Sequence, residues 1–305
     1  AEKRRDLKFA IDWKPSFIKD LSLQAEYFRN RSSNTTASFP LLTPAIEAAF
    51  PGRVTRDASG QLIRIDQRPV NFAEERSERF RWGFNISGPI GAQPQGGPPA
   101  MRGSGAPSGA SGSSAGPPGG GRPSGMGGGG GGRGPMGMMP GGGPPSRWSL
   151  ALYHTVRLQD EILIGPGVPA LDLLNGSATS SLGGSPRHEL QLNGGVFYKG
   201  MGFRLEGNYR SATRVDGNIL TGTGDLRFGD LATLNAFLFI NLDQRGTLTK
   251  KVKWLRGSRI AIRIDNVLAD VIDVRDATGL VPLSYQAGLL DPQGRVFEIS
   301  FRKRF

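Results

Sequence analysis

The sequence predicts an all-β fold of antiparallel strands, each with one apolar face and one charged face. Apolar and polar residues alternate with a period of two in segments along the whole chain, which is the pattern of strands. No apolar run reaches the roughly 18 residues of a membrane-spanning helix, and the mean hydropathy is −0.30. The last segment, residues 295–305, alternates Phe297, Ile299, Phe301 and Phe305 with polar and charged residues.

The first strands are predicted on both sides of a short turn. Alternation over residues 7–13 and again over 21–27 flanks the connection 14–20, so these segments form a hairpin. Over residues 29–78 we predict a long outer loop, because the alternation disappears until a clear strand at 80–86. A short helix is expected within this loop from Pro44, since proline is favoured in the first turn of a helix.

A low-complexity segment separates the strands of residues 1–87 from those of residues 148–305. Residues 88–147 are rich in Gly, Pro and Ser and cannot bury enough apolar surface to offset the entropy of ordering. We therefore expect a disordered insertion on the short-turn side of the strands. Its widely spaced arginines have no aromatic neighbours, which makes RNA binding the weaker interpretation of this segment.

Further strands are predicted in the second half of the chain. The segments with clear alternation there are residues 148–158, 190–198, 203–209, 260–264 and 296–305. Residues 226–242 are apolar at both odd- and even-numbered positions over part of their length. The sequence therefore does not show which side of this strand belongs to the apolar face. Two of the connections, residues 159–187 and 267–294, are long and rich in turn-forming residues.

Together these features predict the wall of an antiparallel transmembrane β-barrel with about nine strands. Tilted strands of roughly 9–11 residues span a bilayer, and outer-membrane barrels alternate short turns with long outer loops. A soluble β-sandwich is the alternative, but its outer faces need not be so uniformly charged. Aromatic residues of the apolar parity lie near strand ends, as in interfacial girdles: Trp13, Tyr27, Phe80, Trp148, Tyr198, Tyr209 and Phe305.

The sequence contains no recognisable catalytic or metal-binding constellation. The chain has no Cys, and its two histidines, His154 and His188, lack a third ligand at metal spacing. His154 lies on the apolar parity, where we expect an interfacial or strand-packing role. Asp160 and Glu161 are adjacent but have no partnered spacing of the kind that acid–base or calcium chemistry needs. We therefore expect no enzymatic activity and no cofactor.

Residues 264–305 resemble the C-terminal end of TonB-dependent outer-membrane receptors. The resemblance rests on the step Asp265-Asn266-Val267, the loop that follows it, and an Arg-containing last strand that ends in Phe. Residues 45–91 are similar to a subgroup of these receptors with Gly-rich insertions. The resemblance implies active uptake of a siderophore, sugar or similar nutrient across the bacterial outer membrane. It also implies that Phe301 and Phe305 belong to the signal for the barrel-assembly machinery.

The chain departs from these receptors at its start. Receptors of this family have an energy-coupling box, a plug and a barrel of about 22 strands, whereas this sequence opens directly on a barrel-type strand. We therefore expect the C-terminal part of such a receptor. The expected partners are outer-membrane lipid, the N-terminal barrel part with its plug, the TonB energy-coupling complex and the barrel-assembly machinery, but no nucleic acid. A passive porin-like barrel is the first alternative, and a basic RNA-binding protein is the second.

The side chains on the charged face of the strands are expected to line the interior of the barrel. With a formal net charge of +12, such an interior would favour anionic ligands, although pairing with carboxylates of the plug is an equally good role for these side chains. The candidate residues are Arg79, Arg81, Arg157, Arg204, Glu206, Arg210, Arg259 and Arg263.

Overall fold

The computed structural model describes residues 2–37, 39, 42, 44–91, 146–165, 168–179, 182–217, 224–244, 246–291 and 293–304. Most of the segment predicted to be disordered, together with Phe305, lies outside the described residues. The fold is mostly antiparallel β-sheet with a few short helices, which confirms the predicted all-β class. None of the described helices is both long and apolar enough to cross a membrane.

Strands make up most of the described chain, and the helices between them are short. In chain order the strands are β1 (Lys3–Trp13), β2 (Leu21–Ala37), β3 (Val54–Arg56), β4 (Leu62–Ile65), β5 (Val70–Pro89), β6 (Arg147–Leu163), β7 (Leu171–Asp172), β8 (His188–Tyr198), β9 (Met201–Arg210), β10 (Thr213–Val215), β11 (Leu226–Phe228), β12 (Leu231–Asn241), β13 (Ser258–Asp265), β14 (Val274–Asp276) and β15 (Val296–Lys303). The α-helices are α1 (Pro44–Ala49), α2 (Gly246–Lys251) and α3 (Ala287–Leu290), and short 3-10 helices cover Leu242–Gln244, Lys253–Leu255 and Leu283–Tyr285.

Nine strands form one antiparallel meander in the order β1, β2, β5, β6, β8, β9, β12, β13 and β15, with the short β7 paired to β6. The strands β10, β11 and β14 make a separate three-stranded sheet, and β3 pairs with β4. In the part of the chain that the structure describes, β1 pairs only with β2 and β15 only with β13. Among these residues the sheet is therefore open at both edges, and no closed barrel is observed, so the predicted barrel stays a prediction.

The register of the meander places the predicted apolar residues on one continuous face. Residues directly opposite each other in an antiparallel pair project to the same side of a sheet. One such row runs across seven strands: Trp13, Leu23, Phe84, Leu152, Leu192, Gly207 and Leu234. We call this side the apolar face and the opposite side the polar face.

The strands β2 and β5 are longer than the sequence predicts, and the predicted loop 29–78 is too long. Residues 29–37 continue β2, and residues 70–78 belong to β5. The physical reason is that the apolar face becomes charged in this part: Arg29 forms an ion pair with Glu78 at 2.9 Å, and Arg31 pairs with Glu74. The hydropathy alternation ends there, but the backbone pairing continues.

The two other deviations concern β6 and β12. The register between β5 and β6 shifts at Leu158, which has no partner, and Gln159 then lies opposite Glu78 on the apolar face. In β12, whose facing the sequence left open, Leu238 lies opposite Phe203 on the apolar face. Its neighbours Phe237 and Phe239 consequently project from the polar face.

Fully buried apolar side chains are concentrated at the long-loop end of the strands. The predicted short helix is present as α1, and its Ile46 is 0% exposed. It belongs to a cluster that joins the loop between β2 and β5 to the loop after β6: Phe39, Ile46, Val70, Phe72, Ile162, Ile164 and Leu171. A hydrophobic core of the described chain thus lies where these loops meet the ends of β5 and β6.

Two hairpin tips at this end share one sequence pattern and one set of hydrogen bonds. The carboxylate of Asp57 accepts hydrogen bonds from the Ser59 amide and hydroxyl and from the Gln61 amide. Asp276 accepts the equivalent bonds from Thr278 and from the Leu280 amide. The fourth residue of each tip is a glycine with φ of +84°, a left-handed conformation that favours glycine.

Candidate functional site

Among the residues that the structure describes, no second layer packs on the apolar face of the meander. Trp82, Phe203 and Leu238 lie on interior strands, yet their side chains are 45%, 41% and 36% exposed. A second layer of structure packed on this face would bury such residues, because large apolar side chains are among the most buried in globular proteins. The large exposed members of this face are Leu7, Phe9, Ile11, Trp13, Phe80, Trp82, Leu150, Val196, Tyr198, Phe203, Leu238, Phe297, Ile299 and Phe301.

The apolar positions of β6 extend from Trp148 to Val156, a span of nine residues. Tilted strands of about 9–11 residues cross the hydrocarbon core of a bilayer. We call this part of the apolar face the apolar band.

The band ends in a row of charged and polar residues toward the long loops. On β5 the even-numbered positions change from Phe80 to Glu78, Arg76 and Glu74. These side chains all project from the same face of the strand. These carboxylates bind arginines of β2 and β5 on the same face. One face of the sheet is therefore apolar over the height of the band and ionic directly beyond it.

The two histidines lie on the apolar face and contact each other. His154 Nε2 and His188 Nδ1 are 3.2 Å apart, and the rings are stacked with centroids separated by 5.3 Å. The Trp82 ring contacts His154 edge-on at 5.6 Å. Among the described residues no group of three His, Cys, Asp or Glu side chains has the arrangement of a metal site. His188 lies directly opposite Val156, so the pair packs near the charged end of the band.

The predicted interior residues all project from the polar face, opposite the apolar band. This follows from the register, in which each of them lies opposite other residues of the polar parity. They are Arg79, Arg81, Arg157, Arg204, Glu206, Arg210, Arg259 and Arg263.

Three of these arginines lie over aromatic rings. The guanidinium carbon of Arg79 is 4.7 Å from the centroid of Phe28, and that of Arg81 is 4.6 Å from the centroid of Tyr153. Arg259 is 4.0 Å from the centroid of Phe239. Stacking on a ring leaves the edge of the guanidinium, which carries its N–H donors, available to an anion at Arg79 and Arg259. At Arg81 part of this edge is engaged, since Nη2 donates a hydrogen bond to Gln191 Oε1 at 3.1 Å.

The other candidates are paired with carboxylates. Arg157 contacts Glu189 at 3.1 Å, Arg204 contacts Glu206 at 3.5 Å, and Arg263 contacts Asp265 at 2.9 Å. Arg210 lies directly opposite Glu189 in the register. Because their charges are partly balanced within the sheet, these residues are weaker anion-binding candidates than the ring-stacked arginines.

The polar-face candidates form separate groups. Arg79 lies directly opposite Arg157, and Arg81 follows two residues further along β5. Arg204 and Arg263 both lie opposite Phe237 of β12, on its two sides. Arg259 lies nearer the short-turn end of β13 and is directly opposite Asn241. The sheet thus presents dispersed cationic positions on one surface rather than a single binding cleft.

Aromatic residues of the polar face were missed in the sequence, where aromatic side chains were expected on the apolar parity. Phe197 and Phe237 both pack against Phe239, with ring centroids 6.1 and 5.9 Å apart. The signal for Phe237 and Phe239 is that residues 226–242 are apolar at both odd- and even-numbered positions over part of their length. Gly202 lies directly under the Phe239 ring, so that any side chain there would collide with it.

One of the two predicted assembly-signal residues is described. Phe301 lies on the apolar face of β15, opposite Ile260, and its ring is parallel to that of Trp254 at 5.6 Å. Phe305 lies outside the described residues. Recognition of Phe301 by an assembly machinery stays a prediction.

Comparison of the chain with protein-family models, with curated proteins and with solved structures gives no match.

Proposed function

We propose that this chain forms part of the wall of a bacterial outer-membrane β-barrel, with the apolar band against lipid and the polar face toward the interior. The observation that carries the proposal is the uncovered apolar face, continuous over nine hydrogen-bonded strands. In water such a surface would drive aggregation, because contiguous exposed apolar patches of monomeric soluble proteins rarely exceed a few hundred Å². Acyl chains are the environment that makes it stable.

The open edges support a wall that is part of a larger sheet. Strand β1 extends over Lys3–Trp13 and β15 over Val296–Lys303, and each pairs on one side only among the described residues. Long regular edge strands present unpaired backbone groups, which cannot be left unsatisfied in lipid. We therefore propose that further strands pair with these edges and complete the barrel.

Within this class we propose a TonB-dependent receptor for active nutrient uptake, of which the chain is the C-terminal portion. This more specific proposal rests on the resemblance of residues 264–305 and 45–91 to such receptors. The ring-stacked Arg79, Arg81 and Arg259 then line the interior and favour anionic solutes. The loop core around Ile46 and Phe72 would hold the outer loops in place.

Reconstitution of the complete barrel that contains this chain into phospholipid vesicles, followed by proteolysis, tests the membrane assignment, because the edges of β1 and β15 must be paired in lipid. We expect trypsin to cut in the long loops and to leave β8 and β9, the strand pair 188–210, intact within the bilayer fraction. Trypsin sites such as Arg204 and Arg210 lie in this pair, so its protection is informative. Cleavage at Arg204 in a chain that is folded but remains outside the vesicles would contradict the proposal.

A second experiment distinguishes the C-terminal portion of a receptor from a passive porin-like barrel. A porin-like barrel would close by itself, migrate as a heat-modifiable monomer in detergent electrophoresis and conduct ions in a planar bilayer. The receptor-portion proposal expects neither behaviour from this chain alone.

A further inference from the structure

Three arginines on neighbouring strands lie directly opposite one another beyond the apolar band. Arg5 of β1 is paired in register with Arg31 of β2, and Arg31 is paired with Arg76 of β5. All three share the face of the band, because Arg5 follows the parity of Leu7 and Arg76 that of Phe80. Like charges placed directly opposite in a sheet destabilise it, so this arrangement requires a negative partner.

The protein itself supplies only part of the negative charge that these arginines require. Glu74 accepts a hydrogen bond of 2.6 Å from Arg76 Nε and one of 2.9 Å from Arg31 Nη2. These bonds, that of Arg76 first, lower the pKa of Glu74 to about 2. Arg76 also lies directly opposite Glu161, which lies opposite Asp172, so these carboxylates are at the other end of the row. The side chain of Arg5 makes no hydrogen bond or ion pair with any other residue that the structure describes, so positive charge is left unbalanced at the Arg5 end of the row.

A shallow cavity lies beside this row. Its volume is about 190 Å³, and Arg29, Asn30, Arg31, Arg76 and Gln159 line it. The guanidinium groups of Arg31 and Arg76 are half-exposed there. Guanidinium groups of this kind match the oxygens of a phosphate group with parallel hydrogen bonds.

The height of the row corresponds to the headgroup layer of a bilayer. Arg5 lies two residues beyond Leu7, the last apolar residue of the band on β1, which is about 7 Å along the strand. The polar headgroup region adds roughly 5–7 Å to each side of the hydrocarbon core. A lipid whose acyl chains lie on the band therefore has its phosphate at the level of the arginines.

We propose that Arg5, Arg31 and Arg76 bind the phosphate of an anionic lipid headgroup. The proposal rests on the membrane assignment above, because the site combines an anion-binding row with the apolar band that receives the acyl chains. This continuity favours a phosphate-bearing lipid over free phosphate. The lipid would supply the negative charge that is missing at the Arg5 end of the row.

Titration of the full chain in a neutral detergent with short-chain dihexanoyl lipids tests this assignment. We expect dihexanoyl phosphatidic acid to bind more tightly than dihexanoyl phosphatidylcholine and than inorganic phosphate. Equal affinity for the two lipids would overturn the proposal. Inorganic phosphate binding as tightly as phosphatidic acid would overturn it too, because the site would then be a free-anion site.

Two single variants on β1 distinguish the contribution of the site from that of the net charge of the chain. Arg5→Gln should weaken phosphatidic acid binding about fivefold, the effect of one cation near a membrane surface. Arg4→Gln removes the same charge from the opposite face of β1, where Arg4 pairs with Asp6, and should change the affinity less than twofold. Equal losses in the two variants would contradict the proposal.

A third variant should act in the opposite direction. Glu74→Gln removes the carboxylate that binds both Arg31 and Arg76, and we expect tighter binding of phosphatidic acid by about fivefold. A variant that merely disturbed the fold would not gain affinity. Insertion of the complete barrel into phosphatidylcholine vesicles is measured in parallel: insertion without phosphate selectivity refutes this inference alone, and a complete barrel that does not insert refutes the membrane assignment.

Discussion

The ring of Tyr153 lies against the backbone of Gly83, its directly opposite neighbour on β5. A Cβ at position 83 would meet the Leu152 carbonyl oxygen and lie 2.5 Å from Cδ1 of Tyr153. Because Gly83 has no side chain, the ring can rest along the sheet and support Arg81, whose guanidinium carbon is 4.6 Å from its centroid. A glycine on one strand thereby positions a cation on the polar face.

Gly83→Ala should therefore destabilise the folded chain by about 1–3 kcal/mol, the usual range for overpacking. The measurement is urea unfolding of the chain reconstituted in vesicles. The matched control is Gly194→Ala on β8, where the added Cβ would have an ordinary contact of 3.7 Å to Leu150. We expect the control to change the free energy of unfolding by less than about 0.5 kcal/mol. Equal effects would refute the role of Gly83.

Two adjacent positions of β8 test the difference between the faces. Leu192 lies in the apolar band, opposite Leu152, whereas Asn193 lies on the polar face, opposite Glu206. Leu192→Arg should destabilise the inserted chain by about 2–4 kcal/mol, because an arginine near the middle of a bilayer on the lipid side costs that much. Asn193→Arg should have little effect, since its partner is a carboxylate. Comparable losses, measured by urea unfolding in vesicles, would argue against a lipid-facing band.

The two hairpin tips should open in acid. The hydrogen bond from the Ser59 hydroxyl, with the Gln61 amide, holds the pKa of Asp57 below its ordinary value of 3.8. The Thr278 hydroxyl and the Leu280 amide lower the pKa of Asp276 in the same way. A lowered pKa in the folded state means that the stabilisation is fully present above pH 3.8 and is lost as the pH falls through the folded pKa.

Amide protection factors of Ser59 and Thr278 provide the measurement for this prediction. Both should fall as the pH is lowered from 5 to 2 in neutral detergent. In Asp57→Asn the pH dependence at Ser59 should disappear while that at Thr278 persists. A dependence at Ser59 that survives the substitution would show that another group is responsible.

Alternating hydropathy identified the strands that lie within the apolar band. The segments at residues 7–13 and 80–86 needed no further information, because every second side chain is apolar and the register preserves that parity. The short helix after Pro44 was also predictable from its proline, and α1 begins at this residue.

Hydropathy carries no comparable signal where both faces have the same character. Residues 29–37 and 70–78 pair through arginine and glutamate on the side of the sheet that is apolar elsewhere, so these parts of β2 and β5 lack the hydropathy alternation and were predicted as loop. In β12 the opposite problem arises, because Phe237 and Phe239 make the polar face apolar as well. The row of Arg5, Arg31 and Arg76 could not be foreseen, since it depends on the register of two strand pairs.

Single-cysteine labelling along β9 tests the membrane assignment most directly. The chain has no Cys, so one cysteine at a time can be introduced at residues 203–207 and labelled with an environment-sensitive fluorophore in vesicles. We expect labels at 203, 205 and 207 to be quenched by lipid-attached nitroxides and those at 204 and 206 by an aqueous quencher. Uniform aqueous quenching at all five positions would contradict the assignment.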